Sequence, residues 1–141
     1  MKKYKKGMTT GTYDMFHAGH LNLLKGAKSL CDTLIVGIYN DEQILQYKGR
    51  IPIIGLEDRM SIIDAVKYVD KVIALGSLDK VKAWEKERYD VLIIGDDWKG
   101  HSRWIKTEEE MNKLGVDVVY LPYTKGISSS IIKRRIIKQG K

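Results

Sequence analysis

Gly11-Thr12-Tyr13-Asp14-Met15-Phe16-His17-Ala18-Gly19-His20 is the stretch whose reading decides the fold. It stands between a β-prone segment, Met8-Thr9-Thr10, and an apolar-periodic run, Leu21, Leu23, Leu24 and Ala27. A strand, a glycine, a turn and a helix start in immediate succession make a phosphate-binding layout. Amides at a helix N-terminus lack intrahelical partners, and the helix dipole adds partial positive charge there. Gly11 carries no Cβ, so the backbone is free to approach a ligand. His17 and His20 are three residues apart and would project from one face of a first helical turn. Two imidazole donors beside free amides form a cradle for charge growing on a phosphoryl group under attack. The same pair would serve as half of a metal site. The third histidine is His101, however, the single cysteine is Cys31, and no familiar ligand spacing is present. No metal site is expected.

Working outward, Thr33–Tyr39 is a continuous β-branched run, as in a strand buried on both faces of a parallel sheet. Similar runs at Lys71–Leu75, Val91–Gly95 and Val116–Leu121, with residues 6–10 at the start, give five strands. Between and after them, helices are expected over 17–30, 41–46, 56–66, 79–88, 104–114 and 128–138. Strands alternating with helices at this spacing imply an α/β fold, a Rossmann-like, doubly wound, five-stranded parallel sheet with helices on both faces. A ligand then sits at the carboxyl edge of the strands, at the topological switch point. The loops expected there are Gly11–His20, Tyr39–Pro52, Gly95–His101 and Pro122–Ser130.

The chain has 141 residues, 43% hydrophobic and 30% charged, which suits a single domain, residues 1–141, with a sizeable core. No apolar run reaches the length of a bilayer span, and the lysine-rich start lacks the apolar stretch of a signal peptide. One cysteine allows no disulfide framework, so a cytoplasmic protein is expected. Much of the formal charge of +7 lies in Lys2, Lys3, Lys5 and Lys6 and in Lys133, Arg134, Arg135, Lys138 and Lys141. No nucleic-acid-binding signature accompanies it. A small polyanion such as a nucleoside triphosphate accounts for the excess at least as well.

Three further stretches carry chemistry. Gly95-Asp96-Asp97-Trp98-Lys99-Gly100 follows the fourth strand, and its carboxylates and indole are suited to reading a base by hydrogen bonding and stacking. As an acidic turn with a packing tryptophan it would be ordinary. Tyr123-Thr124-Lys125-Gly126-Ile127-Ser128-Ser129-Ser130 precedes the last helix. Gly126 permits a tight turn, and the serines either cap the helix or donate to phosphate oxygens. Lys48, in Lys48-Gly49-Arg50, stands on a loop after the second strand, and Arg59 opens the next helix. A solvated lysine and a surface ion pair are the everyday versions of those two. Trp84 and Trp104 read as core or interface.

Taken together, these motifs resemble the nucleotidyltransferase superfamily with an HxGH signature. GTYDMFHAGH is similar to its cytidylyltransferases. GDDWKG resembles the GDDWEG segment of glycerol-3-phosphate cytidylyltransferases, a stretch in which adenylyltransferases of the superfamily differ. TKGISSS resembles the RTEGISTT loop of the same family, with Thr124, Gly126, Ile127 and Ser128 matching and Ser129 and Ser130 replacing threonines. Tyr123 stands where the family has arginine, and a phenol supplies neither charge nor a forked donor. Lys125 is the residue nearest in sequence to compensate. Lys67-Tyr68-Val69-Asp70 resembles the family's RYVD, with a lysine for an arginine that faces the nucleotide. Lys80 stands where the family has a lysine near the acceptor phosphate.

The resemblance implies transfer of a cytidylyl group from CTP to an alcohol phosphate. Glycerol 3-phosphate leads as acceptor, with CDP-glycerol and pyrophosphate as products and Mg2+ carried on the CTP phosphates. It assigns His17, His20 and Lys48 to catalysis. It assigns nucleotide contacts to Gly11, Thr12, Tyr13, Asp14, Ala18 and Gly19 in the first loop. Gly95, Asp96, Asp97 and Trp98, together with Tyr123 to Ser130, complete the nucleotide side, with Arg59, Lys67 and Lys80 on the flanks. It also implies a homodimer. Phosphoethanolamine, phosphocholine and other alcohol phosphates remain open as acceptors. So do an adenylyltransferase of the same fold and a non-catalytic nucleotide- or RNA-binding protein.

Overall fold

The computed structural model describes residues 3–140. Lys2 and Lys141, counted above among the terminal charges, lie outside them. Five strands form one parallel sheet in the order β3-β2-β1-β4-β5. They are β1 (Tyr4–Gly11), β2 (Cys31–Tyr39), β3 (Lys71–Leu75), β4 (Val91–Gly95) and β5 (Asp117–Leu121). The helices are α1 (Ala18–Leu30), α2 (Asp41–Lys48), α3 (Leu56–Asp64), α4 (Lys80–Glu87), α5 (Ser102–Lys113) and α6 (Ser129–Gln139). The α/β fold is therefore as the spacing predicts.

Strand alternation sorts the side chains into two cores. Leu34, Val36 and Ile38 of β2 and Val91 and Ile93 of β4 pack with Leu24 and Ala27 of α1 and Ile63 of α3. Ile35 of β2 and Leu92 and Ile94 of β4 point the other way, toward Ala83 of α4 and Trp104 and Met111 of α5. Helices thus cover both faces, and the winding reverses between β1 and β4. The loops after those two strands, 12–17 and 96–101, flank the crevice where such folds bind ligands.

Several boundaries differ from the expected ones. β1 begins at Tyr4 because it pairs with β2 from Cys31 onward, the first partners being Tyr4 and Cys31. α1 consequently runs into β2 without a loop. His17 is not in a helical turn but is the N-cap of α1, with an extended backbone. Asp79, His101 and Ser128 are likewise caps, whose side chains accept from Val81 N, Arg103 N and Ile131 N. α3 ends at Asp64, where Val66 N bonds the Ile63 carbonyl in a tighter turn. α2 runs to Lys48 and stops at Gly49, whose φ of 75° is left-handed. Lys48 therefore sits on the last helical turn of α2, not on a loop as expected.

Candidate functional site

A cavity of about 400 Å³ opens at the carboxyl edge of the sheet. Its floor is the turn after β1. Tyr13 and Met15 both adopt left-handed backbone, with φ of 54° and 51°, a costly conformation for side-chain-bearing residues and one that clusters at functional sites. Asp14 between them is buried and accepts from the amides of Ile53 (2.8 Å) and Ile54 (2.9 Å). Its carbonyl accepts from Ser129 Oγ at 2.6 Å. One residue thus joins the first loop to the segment before α3 and to the start of α6.

The imidazoles of His17 and His20 stack, with ring centroids 3.8 Å apart. His17 Nδ1 accepts from Gly19 N at 3.1 Å, and His20 Nδ1 accepts from His17 N at 3.3 Å. With both Nδ1 atoms accepting, each neutral ring carries its proton on Nε2. Burial lowers the pKa of His17. Burial, with His17 beside it, pushes His20 down to about 3. The pair is therefore neutral at physiological pH and offers two Nε2–H donors at the cavity.

Cations surround these donors. Lys48, Arg50 and Lys133 line the cavity, and burial together with Arg50 and Lys133 lowers the Lys48 pKa. No carboxylate forms an ion pair with any of the three among the described residues. Ser128, Ser129 and Ser130 lie at the start of α6, where unpaired amides favour an anion. On the opposite wall, Asp97 and Trp98 stand in a short 3₁₀ turn after β4. A Cβ on Gly95 would lie 2.6 Å from Asp97 Oδ1, so the glycine is what lets this carboxylate fold over the strand end. Burial raises the pKa of Asp97. Arg103 lies against the rings of Tyr47 (4.6 Å) and Trp98 (5.3 Å), and its Nη2 donates to Tyr47 Oη at 3.1 Å.

Gly11, Thr12, Gly19, Tyr123, Thr124 and Ile127 are on the wall, and Thr124 Oγ1 accepts from Asn22 Nδ2. The reason for Gly11 differs from the one expected. A Cβ there would stand 2.9 Å from the Tyr13 ring, so the glycine makes room for a side chain rather than a ligand. Ala18, Arg59, Lys67, Lys80, Asp96, Lys125 and Gly126 are not on the wall. Asp96 accepts from Tyr123 N and so joins two loops. Gly126 supplies a φ of 83°.

Arg59 is fully buried beneath the floor and is no surface ion pair. Nε donates to the Ile54 carbonyl, Nη1 to those of Thr12 and Tyr39, and Nη2 to Asp41 Oδ1, all at 2.6–2.9 Å. It organises the loops beneath the cavity and is not part of its lining. Lys67 is exposed beyond α3, at the amino edge of the sheet, because the chain must return there to begin β3 in parallel. Lys125 is exposed, whereas Lys133, one turn into α6, lines the cavity, as Tyr123 does. Lys80 is buried behind the wall, against Tyr39 and Trp104, which themselves line the cavity.

Sequence reasoning missed Lys133 and Arg103 as cavity residues, while Trp104, read as core or interface, is in the core and also borders the cavity. Lys133 carried a signal, since it follows Ser129 at i+4 on one helix face. Arg103 and Trp104 carried none, because only the packing of α5 turns them toward the cavity.

A family model described as cytidylyltransferase-like matches residues 8–135. The chain is 39% identical over 139 residues to the glycerol-3-phosphate cytidylyltransferase of Bacillus subtilis (strain 168), covering 94% of this chain and 97% of that protein. It is 37% identical over 137 residues to the FAD synthase of Korarchaeum cryptofilum, covering 95% and 92%. Among solved structures it is similar to a lipopolysaccharide core biosynthesis protein from Thermoplasma volcanium. That match has a TM-score of 0.75 and 30% identity over 86% of this chain and 99% of the other.

Proposed function

The chain belongs to the cytidylyltransferase-like family of nucleotidyltransferases, and on that premise we propose that it transfers a cytidylyl group from CTP to an alcohol phosphate, glycerol 3-phosphate first among them. The observation that carries the reading is the stacked pair His17 and His20, each with Nδ1 satisfied by a backbone amide and Nε2–H left to donate.

In this reading the acceptor's phosphate oxygen attacks the α-phosphorus of CTP in line with departing pyrophosphate. A phosphate monoester is already nucleophilic, so no covalent enzyme intermediate is required, and catalysis rests on positioning and charge stabilisation. His17 and His20 donate to the phosphate oxygens as charge grows. Neutral imidazoles do this without surrendering a proton. Lys48 and Lys133 offset the charge of the triphosphate, and the serines at the start of α6 hold its outer phosphates. Asp97 and Trp98 face the base. Asp14 keeps the floor in register.

Mg2+ travels on the triphosphate. Among the described residues no cluster of three metal-ligating side chains occurs, and both oxygens of Asp14 are engaged by amides. Bound there, the ion would neutralise phosphate charge. In this reading the enzyme acts in the cytoplasm as a homodimer; a monomer mass by light scattering would overturn the dimer. Among the described residues no helix is long and apolar enough to cross a membrane.

The deciding experiment follows pyrophosphate release with CTP or ATP and Mg2+ across a panel of alcohol phosphates. Release with CTP and glycerol 3-phosphate is expected. Release with ATP in place of CTP would refute the cytidylyl assignment and align the chain with its FAD synthase relatives.

A further inference from the structure

Aromatic rings crowd one flank of the cavity. Tyr39 closes β2, Tyr47 lies on α2, Trp98 stands in the 3₁₀ turn after β4, and Trp104 lies on α5. Aromatic faces are how proteins hold an alkylammonium head, so a wall of this kind invites an acceptor such as phosphocholine. Each of these four rings, however, already has a cation of the chain against it. The guanidinium of Arg103 lies 4.6 Å from the Tyr47 ring centroid and 5.3 Å from that of Trp98. The Lys80 ammonium, behind the wall, lies 5.0 Å from Tyr39 and 5.4 Å from Trp104.

Of the two cations, Arg103 is the one that itself lines the cavity. Its Nη2 donates to Tyr47 Oη at 3.1 Å, so the side chain spans from the end of α2 to the turn after β4. A guanidinium keeps its charge at any pH the protein meets. Among the described residues lining the cavity, the acidic ones are Asp14 and Asp97. The Asp14 oxygens are taken by the amides of Ile53 and Ile54, and Asp97 folds over the end of β4. A cationic head arriving on this flank therefore meets like charge and occupied aromatic faces. Specificity is built as much from what repels the wrong ligand as from what holds the right one.

We propose that Arg103 is a specificity-determining residue, filling the cation seat between Tyr47 and Trp98 and so confining acceptors to alcohol phosphates without a positively charged head. That an acceptor is what is selected rests on the cytidylyl-transfer reading. The filled seat does not.

The test compares the wild-type chain with Arg103→Ala and Arg103→Lys. Trp98 packs independently against the His101 ring, and the backbone of residue 103 keeps its bonds to His101 and Thr107. The alanine variant thus empties the seat and leaves its walls. With CTP and Mg2+, wild-type kcat/KM for phosphocholine is expected about 10²-fold or more below that for glycerol 3-phosphate. Arg103→Ala should raise the phosphocholine value itself about tenfold or more, whereas Arg103→Lys, which keeps a cation at that position, should not. A gain is required, because a loss with glycerol 3-phosphate alone would follow from any damage to the fold. Parity between the two acceptors in the wild type, or no gain in Arg103→Ala, overturns the role of Arg103. Choline chloride titrated against tryptophan fluorescence, with sodium chloride as the ionic-strength control, reads the seat without turnover. Saturable quenching is expected in Arg103→Ala and not in the wild type, and identical responses overturn the filled seat. If no alcohol phosphate releases pyrophosphate with CTP, the cytidylyl-transfer reading falls, while the choline titration still decides whether Arg103 fills the seat.

Discussion

His20 lies against three rings, those of Tyr13, Phe16 and His17, and this packing is what removes water from it. An unfolded imidazole protonates near 6.5, whereas folded His20 resists protonation down to about 3. Between those values the unfolded chain binds a proton that the folded chain does not. Stability is therefore full above about 6.5 and declines as the pH falls from there. The urea midpoint should drop from pH 7 to pH 5, and drop less steeply in His20→Gln. Equal slopes in the two proteins would remove His20 from the account. For the reaction, His17→Ala and His20→Ala should each lower kcat by about 10²–10³ with modest change in KM for CTP, as for loss of a transition-state donor. Near-normal turnover at saturating CTP would exclude that role. Lys133→Ala should act differently, raising KM for CTP about tenfold through loss of one charge-assisted contact.

At the scale of elements, Arg59 ties the loop after β1 and the end of β2 to the segment before α3, since it bonds the carbonyls of Thr12, Tyr39 and Ile54. Arg59→Met should cost about 3 kcal/mol or more, because three carbonyls lose their donor. Arg59→Lys should not restore it, since one ammonium lacks the fork that reaches them all. Urea unfolding of the two variants decides the point. The elements themselves were legible in the sequence wherever one local cause dominated. β2 and β4 show as β-branched runs because both faces are buried, and α2 ends where Gly49 allows a left-handed residue. The GTYDMFHAGH turn was legible for the same reason, since strand, glycine and cap follow one another directly. Arg59 and Arg103 were not, because their surroundings come from segments far away in the chain. Lys67 misled because its likeness to a motif says nothing about which sheet edge it occupies.

At the scale of the whole molecule, the reaction cavity gathers Lys48, Arg50, Lys133 and Arg103 on one side of a chain whose formal charge is +7. Exposed parts of that field are screened within about 10 Å at 0.1 M salt. KM for CTP should therefore rise several-fold between low and high ionic strength, and the dependence should be shallower in Lys133→Ala. A KM independent of salt would show that short-range contacts alone capture the nucleotide. The strand order β3-β2-β1-β4-β5 also bears on descent. β1 offers its turn from the middle, while β2 and β3 present loops on one flank and β4 and β5 on the other. Insertions on one flank leave the backbone of the other in place. A lineage built on this sheet can exchange one reactant for another by redrafting a single flank, keeping the rest of its inheritance.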